Sequence, residues 1–200
     1  MNEGLAETDS ETALHRRSIV YEAFEEGGDL RVRARLEDVR PWADGERSVS
    51  LVHDMSLTVA VRVADMTITR AAADMHVFPH AECPAILEAF EGLVGLSVAR
   101  GYTREVQRRF GGPNGCSHLE HLARSLGPVV VQAVTSRRAR ALGRGETPDL
   151  LAGAATPWAR DTCHIWAEDG VADQKLAAGW RPGVGPYPAQ SLEVIRRAAR

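Results

Sequence analysis

The stretch from Val49 to Val63, VSLVHDMSLTVAVRV, constrains the fold more than any other part of the chain. Val49, Leu51, Met55, Leu57, Val59, Val61 and Val63 fall on one side of a two-residue period. Ser48, Ser50, Ser56, Thr58 and Arg62 fall on the other. An α-helix would scatter these apolar positions around its circumference, whereas a strand gathers them on one face. The stretch therefore predicts a long strand buried on one side, and a strand needs partners for its backbone groups.

Partners lie on both sides of it in the sequence. LRVRARLEDV alternates as strictly, with Leu30, Val32, Ala34 and Leu36 on one face and Arg31, Arg33, Arg35 and Glu37 on the other. Upstream, SIVYEAF is rich in strand formers. Downstream, after Ala64 and Asp65, MTITRA reads as a hairpin return. Four antiparallel strands in the N-terminal half are expected to form a meander.

The period then changes. From Pro84, the positions Ile86, Leu87, Phe90, Leu93 and Val94 follow helical spacing, with Cys83 at the N-cap and proline at the favoured first position. A short helix is predicted over Thr103–Phe110. In GGPNGCSHLEHL, Ser117 and Glu120 form a capping-box pattern, and Leu119, Leu122, Ala123 and Leu126 make an apolar stripe behind it. Pro128 is expected to kink or interrupt that helix before VVVQAVTSRRARAL resumes. The expected class is α+β, a sheet from the first half packed by helices from the second.

Two hundred residues, 44% hydrophobic and 26% charged, suffice for one well-buried core and not for two ordinary domains. Residues 1–14 are polar and expected to be disordered, 15–171 form the domain, and 172–200, with GWRPGVGPYPAQ, read as an extended Gly/Pro-rich tail. A net charge of −3 with scattered arginines argues against a nucleic-acid partner. No run approaches the roughly 20 apolar residues of a membrane span, and the acidic start lacks a signal-peptide pattern. A cytoplasmic protein is expected, with Cys83, Cys116 and Cys163 reduced.

Several residues are candidates for chemistry. Strand register places His53 on the inward face and Asp54 on the outward one. A buried imidazole needs a partner, so something polar must meet His53 inside the fold; it is either a satisfied core histidine or a general base or ligand. Cys116 and His118 flank a helix N-terminus, where unpaired N–H groups favour a thiolate or a bound anion. Gly111, Gly112 and Gly115 would let the backbone approach a ligand, although any tight loop uses the same residues. HLEH is one residue short of the inverted zinc-protease spacing, which is rejected. His76 and His80 are read as loop histidines because Pro79 forbids a helical pair. Cys83, Cys116, His118 and Cys163, with His164 beside the last, offer donors for tetrahedral zinc, but lack paired knuckle spacing.

The ordered motifs HRRSIVYEAF, LRVRARLEDVRPW, HDMSLTVAVRV, CPAILEAFEGLVG, GGPNGCSHLEHL and DTCHIWAEDG resemble the bacterial family of unknown function DUF2889, with its HDM on a strand and its GCxHL before a helix. The resemblance spans about residues 15–171. It implies that His53, Asp54, Cys83, Gly115, Cys116, His118, Leu119 and Cys163 occupy motif positions and share one site. Ser117 stands where the family has threonine and keeps the hydroxyl. The family's HTR stands here as HRR, and no role is assigned to Arg16 or Arg17.

Two functions are expected from this reading. One is a small enzyme of specialised or catabolic metabolism, of aromatic, terpenoid or polyketide-like compounds. It would perform isomerisation, cyclisation, elimination or hydrolysis with His53 and His118 moving protons and Cys116 as nucleophile or ligand. Asp54, Gly115 and Ser117 would bind the small-molecule substrate in a pocket between sheet and helices. No nucleotide fingerprint accompanies these residues, so no cofactor is expected. The other is a non-catalytic binding or accessory protein with a structural Cys/His site, zinc included. A homo-oligomer is compatible with either.

Overall fold

The computed structural model describes residues 13–43, 50–99, 101–146, 160–181 and 188–198. Val49, Ser48 and residues 1–12 of the expected disordered segment lie outside them. Four strands, β1 (Arg16–Glu26), β2 (Asp29–Val39), β3 (Leu51–Arg62) and β4 (Thr67–Val77), form one antiparallel sheet in the order β1-β2-β3-β4. This is the expected meander. Gly27 and Gly28 both take positive φ at the two-residue β1–β2 turn, the conformation that matches strand twist and that glycine adopts without strain.

The two alternating patterns lie side by side. Leu30, Val32, Ala34 and Leu36 of β2 face inward beside Val61, Val59, Leu57 and Met55 of β3, and all eight are buried. Each large aliphatic chain removed from water contributes roughly 1.5–3 kcal/mol, so this double row anchors the fold. β4 runs longer than the expected return. His76 belongs to this strand, as the extra residue of a register shift beside Asp54 and Met55, and not to a loop; His80 does lie in a loop.

The segment after β4 departs from the sequence reading in kind. Cys83–Leu93 is a 3₁₀ helix preceded by Glu82, so Cys83 is its first residue and not its cap. Leu87, Phe90 and Leu93 are three apart, which aligns them on one face at three residues per turn, and the last two are fully buried. Relative to Phe90, Val94 would sit about 40° round an α-helix but about 120° round a 3₁₀ helix. It is exposed accordingly. The chain then lies along the start of β4, with Ile68 N–H donating to Leu96 and Val98 N–H to Met66, and covers that sheet edge.

Helices α1 (Tyr102–Phe110), α2 (Ser117–Arg124) and α3 (Leu126–Gly143) close the inner face through Val106, Phe110, Leu119, Leu122, Leu126 and Val130. The break between α2 and α3 falls at Ser125. Pro128 sits in the first turn of α3, where its missing N–H has no intrahelical partner to lose. The stretch from 172 is not simply an extended tail. Helices α4 (Val171–Ala177) and α5 (Leu192–Ala198) bury Ala172 and Ile195, and Gly179 at φ 94° ends the first of them. The Gly/Pro-rich 182–187 lie outside the described residues.

Candidate functional site

The alternation of β2 does not stop at Leu36. Asp38 is next in phase on the inner face, at the end of the apolar row, and it is 1% exposed. The register pairs it with Arg17 on β1 and His53 on β3, so guanidinium, carboxylate and imidazole stand abreast across three strands. From the helical side, α2 lowers His118 onto the same carboxylate.

Asp38 is held from every direction. Arg17 donates from Nε to Oδ1 and from Nη2 to Oδ2, both at 2.7 Å. Nε2 of His15 lies 3.0 Å from Oδ1, Nδ1 of His53 3.0 Å from Oδ2, and Nε2 of His118 3.4 Å from Oδ2. The rings of His53 and His118 are 4.0 Å apart between centroids. Their side chains remain 16% and 17% exposed, so the cluster has an open side. Nδ1 of His118 meets Cys116 Sγ at 3.7 Å, and the thiol also contacts Met55 Sδ at 4.0 Å. Among the described residues nothing bonds Nε2 of His53.

The charges follow from these contacts. Burial alone would raise the Asp38 pKa, but the Arg17 fork, with His53 and His15, outweighs it and holds the carboxyl at about 2. Arg17 is raised in return, chiefly by its bond to Asp38. His118 is lowered by burial, then by the neighbouring charges of His53 and Arg17, against the opposing pull of Asp38. At neutral pH the centre is an ionised carboxylate carrying a guanidinium and an imidazole that resists protonation.

Of the expected site residues, His53, Cys116 and His118 come together. Asp54 does not join them. It lies on the opposite sheet face, as its register requires, buried beneath a two-pronged bond from Arg35 at 2.8 Å. Gly115 has extended backbone, and a Cβ there would lie 2.1 Å from the carbonyl oxygen of Phe110, so the protein's own chain approaches it closely. Ser117 is not the cap. Cys116 occupies the N-cap of α2 without a side-chain cap bond, and Ser117 is the exposed first helical residue, so the capping box does not form.

The cysteine set does not converge either. Cys83 is half-buried against the core, and Cys163 is exposed in a turn. Among the described residues, the group whose metal-capable atoms all lie within 4.8 Å of one another is Asp38, His53 and His118. Sequence reasoning missed Asp38, Arg17 and His15. The signal for Asp38 was its phase with Leu30 to Leu36. In HRR the departure from HTR falls at Arg16 alone, and His15 and Arg17 both bind Asp38. A separate groove of about 610 Å³ lies between β1 and α3, lined by residues including Tyr21, Phe24, Val129 and Arg137; it does not include the histidines.

Fold and site together define an α+β protein in which a single meander, covered by helices on its inner face, carries a His–carboxylate–His centre at the end of its apolar rows. The chain belongs to DUF2889, a family described as a protein of unknown function, whose sequence model matches residues 15–132. That span includes every residue of the centre. It ends within α3, short of the expected 171, so DTCHIWAEDG and Cys163 lie beyond it. No curated protein and no solved structure matches the chain. Among the described residues no helix is long and apolar enough to cross a membrane.

Proposed function

We propose that this protein is an enzyme of small-molecule metabolism whose chemistry is proton transfer at the Asp38, His53 and His118 centre. One observation carries the reading: a buried carboxylate oxygen bonds the imidazole of His53 and lies 3.4 Å from that of His118, while both side chains keep access to solvent. Purely structural histidines gain nothing from that access. Asp38 supplies fixed negative charge that stabilises an imidazolium and sets which ring nitrogen faces inward. His53 and His118 are the groups that touch the proton being moved, or the water that moves it. Cys116, against Nδ1 of His118, steadies that ring and is the nucleophile if the reaction passes through a covalent step. Isomerisation, cyclisation, elimination and hydrolysis all fit this machinery, with a small molecule as partner. Free cysteines suit a cytoplasmic setting.

The test is deuterium wash-in from D2O, followed by NMR over a panel of enolisable carbonyl compounds and esters. Exchange or turnover of at least one compound is expected. It should fall at least about a hundredfold in His53→Gln and His118→Gln variants that melt like the parent, the scale of general acid–base catalysis. Equal activity in both variants would remove this centre from the reaction. A panel wholly inert with the unaltered chain would favour the non-catalytic, accessory reading.

A further inference from the structure

We propose that Asp38, His53 and His118 bind one divalent first-row transition cation, of the class that takes mixed imidazole and carboxylate donors. The inference rests on the reading of this centre as the functional site; ring nitrogens that hold a cation do not also carry protons, so proton transfer by the rings themselves belongs to the metal-free centre. This donor set replaces the cysteine-rich zinc set, in which Cys116 meets His118 but Cys83 and Cys163 do not join them.

The distances carry it. Donor atoms around a cation bound at about 2.1 Å stand about 3.0 Å apart along an octahedral edge and about 3.4 Å apart along a tetrahedral one. His53 Nδ1 and His118 Nε2 stand 3.0 and 3.4 Å from Oδ2 of Asp38, and one ligand atom from each of the three residues lies within 4.8 Å of the other two. The three donors come from two adjacent strands and a helix, each fixed by packing: Met55 and Leu36 are buried next in phase to His53 and Asp38, and Leu119 is buried beside His118. Two imidazoles and one carboxylate with an open side form a ligand set suited to zinc, iron(II) or manganese, leaving positions for water and substrate.

The surrounding shell also fits. Metal-bound imidazoles characteristically engage their second nitrogen, and Nδ1 of His118 meets Cys116. Oδ1 of Asp38 is gripped by Arg17 Nε and His15, and Arg17 Nη2 also donates to Oδ2, the proposed ligand oxygen, at 2.7 Å, so the fork fixes the carboxylate plane. Arg17 acts in both directions, since its grip orients the ligand while its charge opposes a cation. The ligand variants therefore decide the question.

The full chain, stripped with chelator and dialysed, is loaded separately with zinc, manganese(II) and cobalt(II). Metal per chain is read by mass spectrometry of the digested protein and by the cobalt d–d absorption. The expected result is one equivalent of at least one ion, with affinity reduced at least about tenfold in His53→Ala and in His118→Ala and unchanged in Cys83→Ser and Cys163→Ser. His53→Ala removes a partly exposed ring, and its circular dichroism shows whether the fold survives; should it not, His53→Gln at the same position serves. No bound equivalent overturns the proposal and leaves proton transfer by the bare imidazoles standing. Binding that survives both histidine changes, or is lost with Cys83 or Cys163, overturns it as well. A bound ion without any turnover would instead count against the catalytic reading.

Discussion

Replacing Gly115 by alanine tests how the GGPNGC loop positions the centre. The backbone at Gly115 is extended, with φ near −160°, so alanine carries no conformational penalty there. The obstacle is steric: the new Cβ would sit 2.1 Å from the carbonyl oxygen of Phe110, 2.9 Å from its carbonyl carbon and 3.1 Å from its Cα. These are backbone atoms at the end of α1 and cannot swing aside as a side chain would. Inserting a methyl into a packed site costs roughly 1–3 kcal/mol, and a backbone obstacle places this one at the upper end, about 3 kcal/mol. Alanine returns about 0.7 kcal/mol by restricting the unfolded chain. The net loss is about 2 kcal/mol, which for a chain of this size lowers Tm by roughly 4–8 °C. Because Gly115 directly precedes Cys116 at the N-cap of α2, the displacement should also move His118, visible as shifted histidine ring signals in NMR. Gly112→Ala is the control, since its site is open and only its φ of 59° is unfavourable. A Gly115→Ala protein that melts within 1 °C of the parent with unmoved histidine signals would refute the close-approach argument.

Three further outcomes follow from packing and charge. Arg17→Leu leaves the buried Asp38 carboxylate without its guanidinium, and urea unfolding should show a loss of about 3 kcal/mol. Phe90→Ala empties a fully buried site stacked 4.8 Å from Phe110 and should cost about 3–5 kcal/mol in the same assay. Glu105, bonded to Arg108 and Arg109, is held at about 2. Its native pKa lies below its unfolded one, so its contribution is present above the ordinary glutamate range and lost as pH falls toward 2. Glu105→Gln or high salt should flatten that acid limb of a Tm-against-pH curve by lowering the neutral plateau slightly toward its acid value.

The strands were legible because burial of one sheet face writes itself directly as period two, and β2 and β3 keep that period for their whole length. The site was half legible for the same reason. His53 was found because a polar residue interrupts an apolar series. Asp38 was passed over because it follows the last apolar member of its series, where a strand is easily taken to have ended. Arg17 sits one residue before the expected start of β1, at Ser18, and strand ends are where pattern reading is weakest. The 3₁₀ segment was hidden because spacings of three and four satisfy either helix type over two turns, and the choice is made by contacts with β4 that no local pattern records. The cap at Cys116 in place of Ser117 has a similar origin. A hydroxyl three residues before a glutamate suits a capping box, but the fold seats the preceding thiol between Met55 and His118 and leaves the hydroxyl in solvent.

Whether the centre exists for stability or for chemistry can be separated by one compound substitution. A buried set of charges loses hydration that its internal attraction seldom recovers in full, and replacing all members together by apolar groups of similar size is often neutral or stabilising by about 1–4 kcal/mol. Removing one member alone is costly because the others stay buried without a partner. Arg17, Asp38 and His53 stand abreast on the inner face, continuous with Leu36 and Met55, so Arg17→Met, Asp38→Leu and His53→Leu together would extend the apolar rows by one step. If the cluster is kept for function, the triple variant should fold, unfold in urea at a denaturant concentration equal to or above the parent's, and lose deuterium exchange and cation binding together. A triple variant less stable than Arg17→Leu alone would mean that the polar contacts knit β1, β2, β3 and α2 into one body, and would shift the centre from chemistry to architecture.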